Sequence, residues 1–217
     1  MMIPLWFVLF VGCSSNNGSK IIAQMGGITD TTSSSDIGSG GTVSSLTSIS
    51  IPAHQKGLKL VDTGAIQTGH MSQGSSISLS IDKNTVLIGG RSEANEAGAA
   101  WVFTRSTDGV WTQQGNKLVP PDSIVNSGFG YSVSLSRDGN TALIGVPYAS
   151  NYLGDSWIFK RSSNGEWVQP LKLSGVGNPG DNIEYGTSVS LSADGSTALI
   201  GGPYDSRALG AAWVFVP

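Results

Sequence analysis

The chain has 217 residues, with 30 glycines, 12% charged residues and a formal net charge of −3. This length suits one or two ordinary domains, and the abundance of glycine favours short strands joined by tight turns. The weak negative charge argues against a basic surface of the kind that binds nucleic acid.

Residues 1–13 read as a signal peptide. The run MMIPLWFVLFVG is almost wholly apolar, yet it is too short to span a bilayer. Cys13 follows a small residue, as in a bacterial lipobox, and is therefore a candidate for lipidation. An ordinary signal peptide is the alternative. Both interpretations predict a secreted or cell-surface protein that touches the membrane only through an N-terminal lipid anchor.

Residues 14–53 are rich in serine, threonine and glycine and contain no aromatic residue. Such a segment cannot bury enough apolar surface to offset the entropy lost on ordering. We expect it to be a flexible spacer.

Residues 54–217 are periodic. The segments SISLSIDKNTVLIGG, SVSLSRDGNTALIGV and SVSLSADGSTALIGG begin at Ser76, Ser132 and Ser188, which are 56 residues apart. A second element, GAAWVF or GDSWIF, begins at Gly98, Gly154 and Gly210 with the same spacing. A shared period indicates a repeat architecture, with units near 74–129, 130–185 and 186–217.

Each unit predicts four short antiparallel strands. In the second unit, Val133 and Leu135 alternate with serines, and Asp138-Gly139 marks a tight hairpin turn. An apolar strand from Thr141 and a tryptophan-bearing strand around Trp157 follow. Four strands in about 50 residues is typical of a propeller blade, so the predicted fold is all-β with three four-stranded β-propeller-type repeats. A β-sandwich is the alternative, although it would not require an exact repeat.

The ends of the repeat region predict a way to close a ring. Residues 55–61, QKGLKLV, match a fourth strand, whereas the last unit has no fourth strand after Phe215. The early segment could therefore complete the last blade, within one chain or between copies. Three blades are fewer than the usual four to eight. A small closed ring, a homo-oligomer that completes a larger one, and a fragment all stay open.

The second unit, FGYSVSLSRDGNTALIGVPYASNYLGDSWIF from Phe129, resembles the FG-GAP repeat of integrin α-chain propellers and related bacterial surface proteins. Phe129-Gly130 matches the first motif and Gly145-Val146-Pro147 the second, while the first unit has a degenerate Gln73-Gly74. The resemblance implies a propeller that acts in adhesion-like binding outside the cell. Many members of this family carry a calcium loop between the first two strands. Here each such turn has too few carboxylates for a calcium site, so we predict no metal and no cofactor.

The loops between the second and third strands, and between units, should share one face and differ from unit to unit. Binding residues concentrate in loops held by a rigid scaffold. The candidate binding residues are the polar and aromatic members of these loops: Arg91, Glu93, Glu96, Tyr148, Asn151, Tyr152, Tyr204, Asp205 and Arg207.

Three functions are compatible with these patterns. The first is an extracellular interaction module that binds a protein or glycan through the loop face. The second is a structural repeat unit that assembles with other copies and has no small ligand. The third is an enzyme with a site in the central channel, which is disfavoured because the chain has no nucleophile elbow, zinc-protease motif or phosphate loop.

Overall fold

The computed structural model describes residues 59–62, 72–122, 125–174 and 182–216. The described residues belong to one compact unit within Gly57–Pro217. The predicted signal peptide with Cys13 and the predicted spacer lie outside the described residues. Among the described helices, none is long and apolar enough to cross a membrane.

The described strands form three antiparallel sheets, in each of which neighbours in the sheet are neighbours in the chain. The first sheet contains β1 (Ser76–Leu79), β2 (Thr85–Gly90), β3 (Ala99–Arg105) and β4 (Trp111–Gln113), with the short helix α1 (Glu93–Glu96) between β2 and β3. The second contains β5 (Ser132–Leu135), β6 (Thr141–Val146), β7 (Asp155–Arg161) and β8 (Trp167–Ser174), with α2 (Ala149–Tyr152). The third contains β9 (Ser188–Leu191), β10 (Ala198–Gly202) and β11 (Ala211–Phe215), with α3 (Asp205–Ala208). The predicted all-β fold of propeller-type blades is confirmed.

Strand register gives every sheet two different apolar faces. In the second sheet, Val133 pairs with Ile144, which pairs with Trp157, so the three side chains share one face. Leu143 pairs with Ile158 on the opposite face. Both faces are therefore available for packing, which explains why β6 is apolar at almost every position.

The sheets stack through these two faces. The tryptophan face of the second sheet, with Trp157 and Phe159, packs in one buried cluster with Leu87 and Val102 of the first sheet. The third sheet repeats the arrangement, because Trp213 packs in a cluster with Leu143 and Ile158 of the second sheet. The hydrophobic core is therefore a series of equivalent joints between consecutive sheets.

Glycines allow the close backbone contact at each joint. Phe129 is fully buried and bridges Gly98 of the preceding sheet in parallel orientation. The Ser76 hydroxyl donates to the carbonyl of Gly130 over 2.8 Å. A Cβ atom on Gly89 would lie 2.1 Å from that carbonyl oxygen, so no larger residue fits. Tyr185-Gly186 repeats this contact on the second sheet.

The repeating serines of the inner strands belong to the same joints. The backbone N–H of Leu135 donates to the Ser78 hydroxyl over 3.0 Å, and that of Leu191 donates to the Ser134 hydroxyl over 3.0 Å. Each serine thus ties its own sheet to the next.

The sequence did not predict the short helices. In α2, Ser150 and Asn151 have φ values of 53° and 56°, and in α3 Ser206 and Arg207 have φ values of 51° and 63°. These are left-handed conformations, so α2 and α3 are tight turns rather than regular helices. A single turn is too short to produce helical periodicity in a sequence.

Closure of the ring by residues 55–61 stays a prediction. Lys59 to Asp62 belong to no named strand, and Leu60 packs against the cluster around Trp101 in the first sheet. Strand β11 lies at the edge of the third sheet, paired only with β10. Residues 55–58 of the predicted closing strand lie outside the described residues.

Candidate binding face

The predicted loop face lies at the end of the sheets where β2, β6 and β10 finish and α1, α2 and α3 follow. The connections that lead into β5 and β9 reach the same end, as shown by the Phe129 and Tyr185 bridges beside α1 and α2. We call this end the loop face. The hairpins between the first and second strands lie at the opposite end.

Three tyrosines form a contiguous group on the loop face. The rings of Tyr131 and Tyr148 meet edge to face with centroids 5.6 Å apart, and those of Tyr148 and Tyr152 are 5.5 Å apart. Tyr152 is half exposed, while Tyr131 and Tyr148 are partly covered. We call Tyr131, Tyr148 and Tyr152 the tyrosine patch.

Arg91 joins the patch from the first sheet. Its guanidinium lies 5.4 Å from the centroid of the Tyr131 ring, within range of a cation–π interaction. Beside it is a depression of roughly 530 Å³, lined by Arg91, Tyr131 and residues 72–75. The patch therefore extends across the joint between the first two sheets.

The backbone holds the tyrosines in place. The N–H of Tyr148 donates to the carbonyl of Ser127, and the N–H of Gly154 donates to the carbonyl of Ala149, which closes the turn. The carbonyl of Tyr152 accepts a 2.8 Å hydrogen bond from the N–H of Glu184. The turn is thus fastened to both neighbouring connections.

Burial changes the pKa values of two ionisable groups at this site. It raises the pKa of Tyr148, and a hydrogen bond with Tyr131 acts in the same direction. Burial also raises the pKa of the Glu184 carboxyl. The Tyr148 hydroxyl therefore stays protonated at physiological pH, and the patch offers hydroxyl groups and ring surfaces beside the positive charge of Arg91.

The structure separates the predicted binding residues into groups. Arg91, Tyr148 and Tyr152 come together at the patch, and Asn151 is exposed beside them. Glu93 is buried and forms an ion pair with Lys117, which gives it a packing role.

The remaining predicted residues lie elsewhere on the face. Tyr204, Asp205 and Arg207 occupy the equivalent turn of the third sheet, where Tyr204 is half exposed. Glu96 lies at the end of α1, and its side chain is outside the described ones.

Sequence reasoning missed Tyr131 and Glu184. A usable signal was their departure from the repeat, because the positions 56 residues before and after Tyr131 hold Ser75 and Thr187. The equivalent of Glu184 in the second unit is Gly128. Residues that vary at a fixed repeat position, on a loop, mark places where packing does not dictate the side chain.

The opposite end of the sheets is uniform. Asp138 accepts hydrogen bonds from the Ser136 hydroxyl and the Asn140 N–H, and the Ser136 hydroxyl accepts one from the Thr141 N–H. The hydrogen bond from Ser136 is the main cause of the lowered pKa of Asp138. The first and third units repeat this network. Within the described ranges, no group of three or more acidic, histidine or cysteine residues is arranged to hold a metal ion.

Residues 111–159 match the family model described as FG-GAP repeat. The match runs from β4 of the first sheet to β7 of the second and includes Phe129-Gly130 at the joint. This chain carries an FG-GAP repeat. The same 56-residue period extends the FG-GAP pattern to the third unit, whose Tyr185-Gly186 makes the equivalent contact.

No curated protein matches the chain in sequence. Among solved structures, a chain from the complex of KlAtg21 with the coiled-coil of AgAtg16 is 16% identical with a TM-score of 0.45, covering 65% of this chain and 39% of that one. Hydrazine synthase from Kuenenia stuttgartiensis is 15% identical with a TM-score of 0.40, covering 65% and 44%. TolB from Acinetobacter baumannii is 13% identical with a TM-score of 0.36, covering 69% and 33%. This chain therefore spans less than half the length of each.

Proposed function

We propose that this FG-GAP repeat chain is an interaction module displayed outside the cell, and that it binds a protein or glycan partner through the loop face. The observation that supports the proposal most strongly is the tyrosine patch with Arg91. Tyrosine and arginine are enriched among residues that dominate binding energies, because each offers a large contact area together with a polar group.

The position of the patch supports a role in recognition. Tyr131 and Tyr148 lie on a scaffold whose sheets are joined by buried clusters, so little conformational entropy would be lost when a partner binds. A ring surface such as that of Tyr152 can stack on a sugar or an apolar side chain, while its hydroxyl forms hydrogen bonds. These groups together suit the binding of a partner.

We infer a location outside the cell because residues 1–13 have the pattern of a signal peptide. Whether Cys13 carries a lipid decides between a tethered and a freely secreted form. Membrane fractionation of a Cys13→Ser variant in a bacterial host distinguishes the two, since loss of the anchor releases the protein.

The binding proposal is tested with the full chain immobilised and presented to a glycan array and to a panel of purified secreted proteins. We expect at least one probe whose affinity falls by about tenfold or more in the Tyr152→Ala and Arg91→Ala variants. Both side chains are exposed, so the fold should be retained.

The matched control is Val110→Ser, which changes an exposed residue in the β3–β4 hairpin at the opposite end of the sheet. Its affinity for the same probe should equal that of the native chain. Binding that is insensitive to both patch variants would contradict a site on the loop face.

A further inference from the structure

Three departures from the 56-residue repeat meet at the depression beside Arg91. Arg91 stands where the second and third units have proline, and Gln73 stands where they have an aromatic residue. Tyr131 stands where the first and third units have serine and threonine. All three side chains line the same depression. The repeat does not dictate this combination, so it is specific to the contact between the first two sheets.

The close backbone contact at this joint fixes where Arg91 and Tyr131 emerge. Arg91 follows Gly90 and Tyr131 follows Gly130, and a Cβ atom on Gly130 would lie 3.0 Å from the nitrogen of Gly90. The guanidinium of Arg91 lies 5.4 Å from the centroid of the Tyr131 ring, in a cation–π pair. A rigid part of the fold thus positions the charge, and little conformational entropy is lost when a ligand binds it.

The positive charge of Arg91 is available to a ligand. Within the described residues, no carboxylate forms an ion pair with Arg91. By contrast, Arg105 and Arg161, which also lie over aromatic rings, donate hydrogen bonds to Asn84 and Asn140. A guanidinium carries five N–H donors in a planar fork that matches the oxygens of a carboxylate or a tetrahedral oxyanion. Arg91 is therefore suited to an anionic group.

The rest of the depression supplies hydrogen-bond donors, and none of the side chains that line it is acidic. The Gln73 Oε1 atom accepts a hydrogen bond from the N–H of Asp62 over 3.2 Å, which fixes the orientation of the amide. The Nε2 atom of Gln73 is buried and has no partner among the described residues. Ser72 and Ser75 line the same depression. An acceptor that reaches Nε2 satisfies a donor that is otherwise unpaired.

The tyrosine patch continues from the depression as a row of rings. The centroids of Tyr131 and Tyr148 are 5.6 Å apart, and those of Tyr148 and Tyr152 are 5.5 Å apart. At the Tyr152 end, the backbone N–H of Glu184 donates to the Tyr152 carbonyl over 2.8 Å. The row therefore runs from the cation of Arg91 towards an acidic residue. An elongated ligand with an anionic group is oriented by this arrangement, with the anion at the Arg91 end.

The chemistry of the depression favours a glycan over a protein partner. Its lining carries guanidinium, amide, hydroxyl and phenol groups, and no residue in it has an aliphatic side chain. A protein partner is usually anchored by a large side chain in a well-packed, desolvated pocket. Sugars instead present hydroxyl groups to polar side chains and stack their rings on aromatic surfaces such as the half-exposed Tyr152.

We propose that the depression beside Arg91 binds the anionic group of an acidic glycan, a carboxylate or a sulfate ester, while the neighbouring sugar rings stack along the tyrosine patch. The inference rests on the proposed function, because it names the class of partner that the loop face binds. The whole chain has a net charge of −3, so general electrostatic attraction does not favour a polyanion. The affinity must come from the local site.

Isothermal titration calorimetry of the full chain with three oligosaccharides of equal length tests the class of ligand. An oligogalacturonate supplies carboxylates, a sulfated malto-oligosaccharide supplies sulfate esters, and the unmodified malto-oligosaccharide supplies neither. We expect at least one acidic glycan to bind about tenfold or more tightly than the uncharged one, and the one that binds identifies the anion. A chain that binds neither acidic glycan overturns the proposal. So does a chain that binds an oligoglutamate peptide more tightly than both.

The variant Arg91→Gln should lower the affinity for the acidic glycan by about tenfold or more, because it removes the charged fork. Arg91 is exposed, so circular dichroism of the variant should be unchanged. The matched control is Arg105→Gln, which removes the same charge from a guanidinium 5.6 Å from the Trp111 ring, at the opposite end of the first sheet. Its affinity should equal that of the native chain.

The variants separate this inference from the proposed function. Equal losses in Arg91→Gln and Arg105→Gln would indicate a general effect of charge and overturn the site. If Tyr152→Ala weakens the binding of a ligand and Arg91→Gln does not, the loop face binds that ligand but the anionic site is wrong. If neither Arg91→Gln nor Tyr152→Ala affects the binding of the acidic glycan, both proposals are contradicted.

Chemical protection tests the position of the anion. Phenylglyoxal modifies exposed arginine side chains, and mass spectrometry of the digested chain measures the extent at each arginine. A saturating concentration of the acidic glycan should slow the modification of Arg91 and leave that of Arg105 unchanged. Modification of Arg91 at the same rate with and without the glycan would show that the anion binds elsewhere, and the proposed site would be wrong.

Discussion

At the scale of single residues, the serine of each first hairpin forms two hydrogen bonds that fix the turn. Ser136 is fully buried, donates to Asp138 and accepts from the N–H of Thr141. One hydroxyl therefore satisfies a buried backbone donor and also fixes the turn. Ser80 and Ser192 form the same two hydrogen bonds, and Ser80 is buried whereas Ser192 is partly exposed.

The variant Ser136→Ala should lower the free energy of unfolding by about 1–3 kcal/mol, because it leaves the buried N–H of Thr141 without a partner. Urea denaturation measures the change. Ser162→Ala, in the exposed β7–β8 hairpin, should cost less since water can replace its hydrogen bonds. Equal losses in the two variants would show that burial is not the cause.

Stability should also depend on acidic pH through these hairpins. Hydrogen bonds from Ser192 and Ser196 lower the pKa of Asp194 from its ordinary 3.8 to about 2. The carboxylate is thus favoured in the folded state, so its contribution is complete above pH 3.8 and is lost as the pH falls through about 2. Asp82 and Asp138 shift in the same direction.

Between pH 4 and pH 2, the unfolding free energy of the native chain should therefore fall more than that of Asp194→Asn. Denaturant titrations at a series of pH values give the comparison. Parallel curves for the two proteins would mean that Asp194 has the same affinity for protons in the folded and unfolded states.

At the scale of elements, the connection between sheets depends on glycine for two separable reasons. Gly130 has a φ of 84°, and a Cβ atom there would lie 2.4 Å from the carbonyl oxygen of Ala99. Gly109, in the β3–β4 turn, has a φ of 87° but nothing within 4 Å of a Cβ atom. The two positions share the same backbone conformation, but only Gly109 has room for a side chain.

Gly109→Ala should accordingly cost about 1–2 kcal/mol of stability, the price of a left-handed conformation for a residue with a side chain. Gly130→Ala should cost at least about twice as much, because the backbone of Ala99 cannot move aside without opening the joint. Thermal unfolding of both variants provides the measurement. A similar loss in each would indicate that conformation alone matters at Gly130.

The elements were largely predictable from the sequence, because alternation of serine with apolar residues and the Asp-Gly turns are local signals. The contacts between side chains of different loops were not predictable. Tyr131 and Tyr148 meet only because β5 and β6 pair in a particular register, and Glu93 is buried only because Lys117 reaches it from another strand. A repeat period identifies equivalent positions, but it does not say which side chains of different loops face one another.

At the scale of the whole molecule, the first and third sheets differ in exposure, because Trp101 of the first sheet is buried whereas Leu199 and Val214 of the third are exposed. Leu60, which precedes the first sheet in the chain, packs against the cluster that contains Trp101. In a repeat architecture each unit is stabilised by its own contacts and by those with its neighbours. The first sheet has a neighbouring sheet on one side within the described chain.

Leu60→Ala should therefore loosen the first sheet more than the second. Hydrogen exchange of β2 and β3 should accelerate by about tenfold or more, which corresponds to roughly 1.4 kcal/mol of local opening free energy, while β6 and β7 change less. Exchange measured by mass spectrometry resolves the sheets. Uniform acceleration throughout the chain would mean that the three sheets unfold as a single cooperative unit.

The joint between sheets has a consequence for how such a protein can evolve. The hydrogen bonds at each joint are made between adjacent units by the same backbone and serine groups, as in the Ser76–Gly130 and Ser132–Gly186 pairs. Duplication of one 56-residue stretch of the gene would add a blade without requiring any new interaction, and its deletion would remove one. The number of blades is thus free to change by recombination, while each turn on the loop face mutates independently.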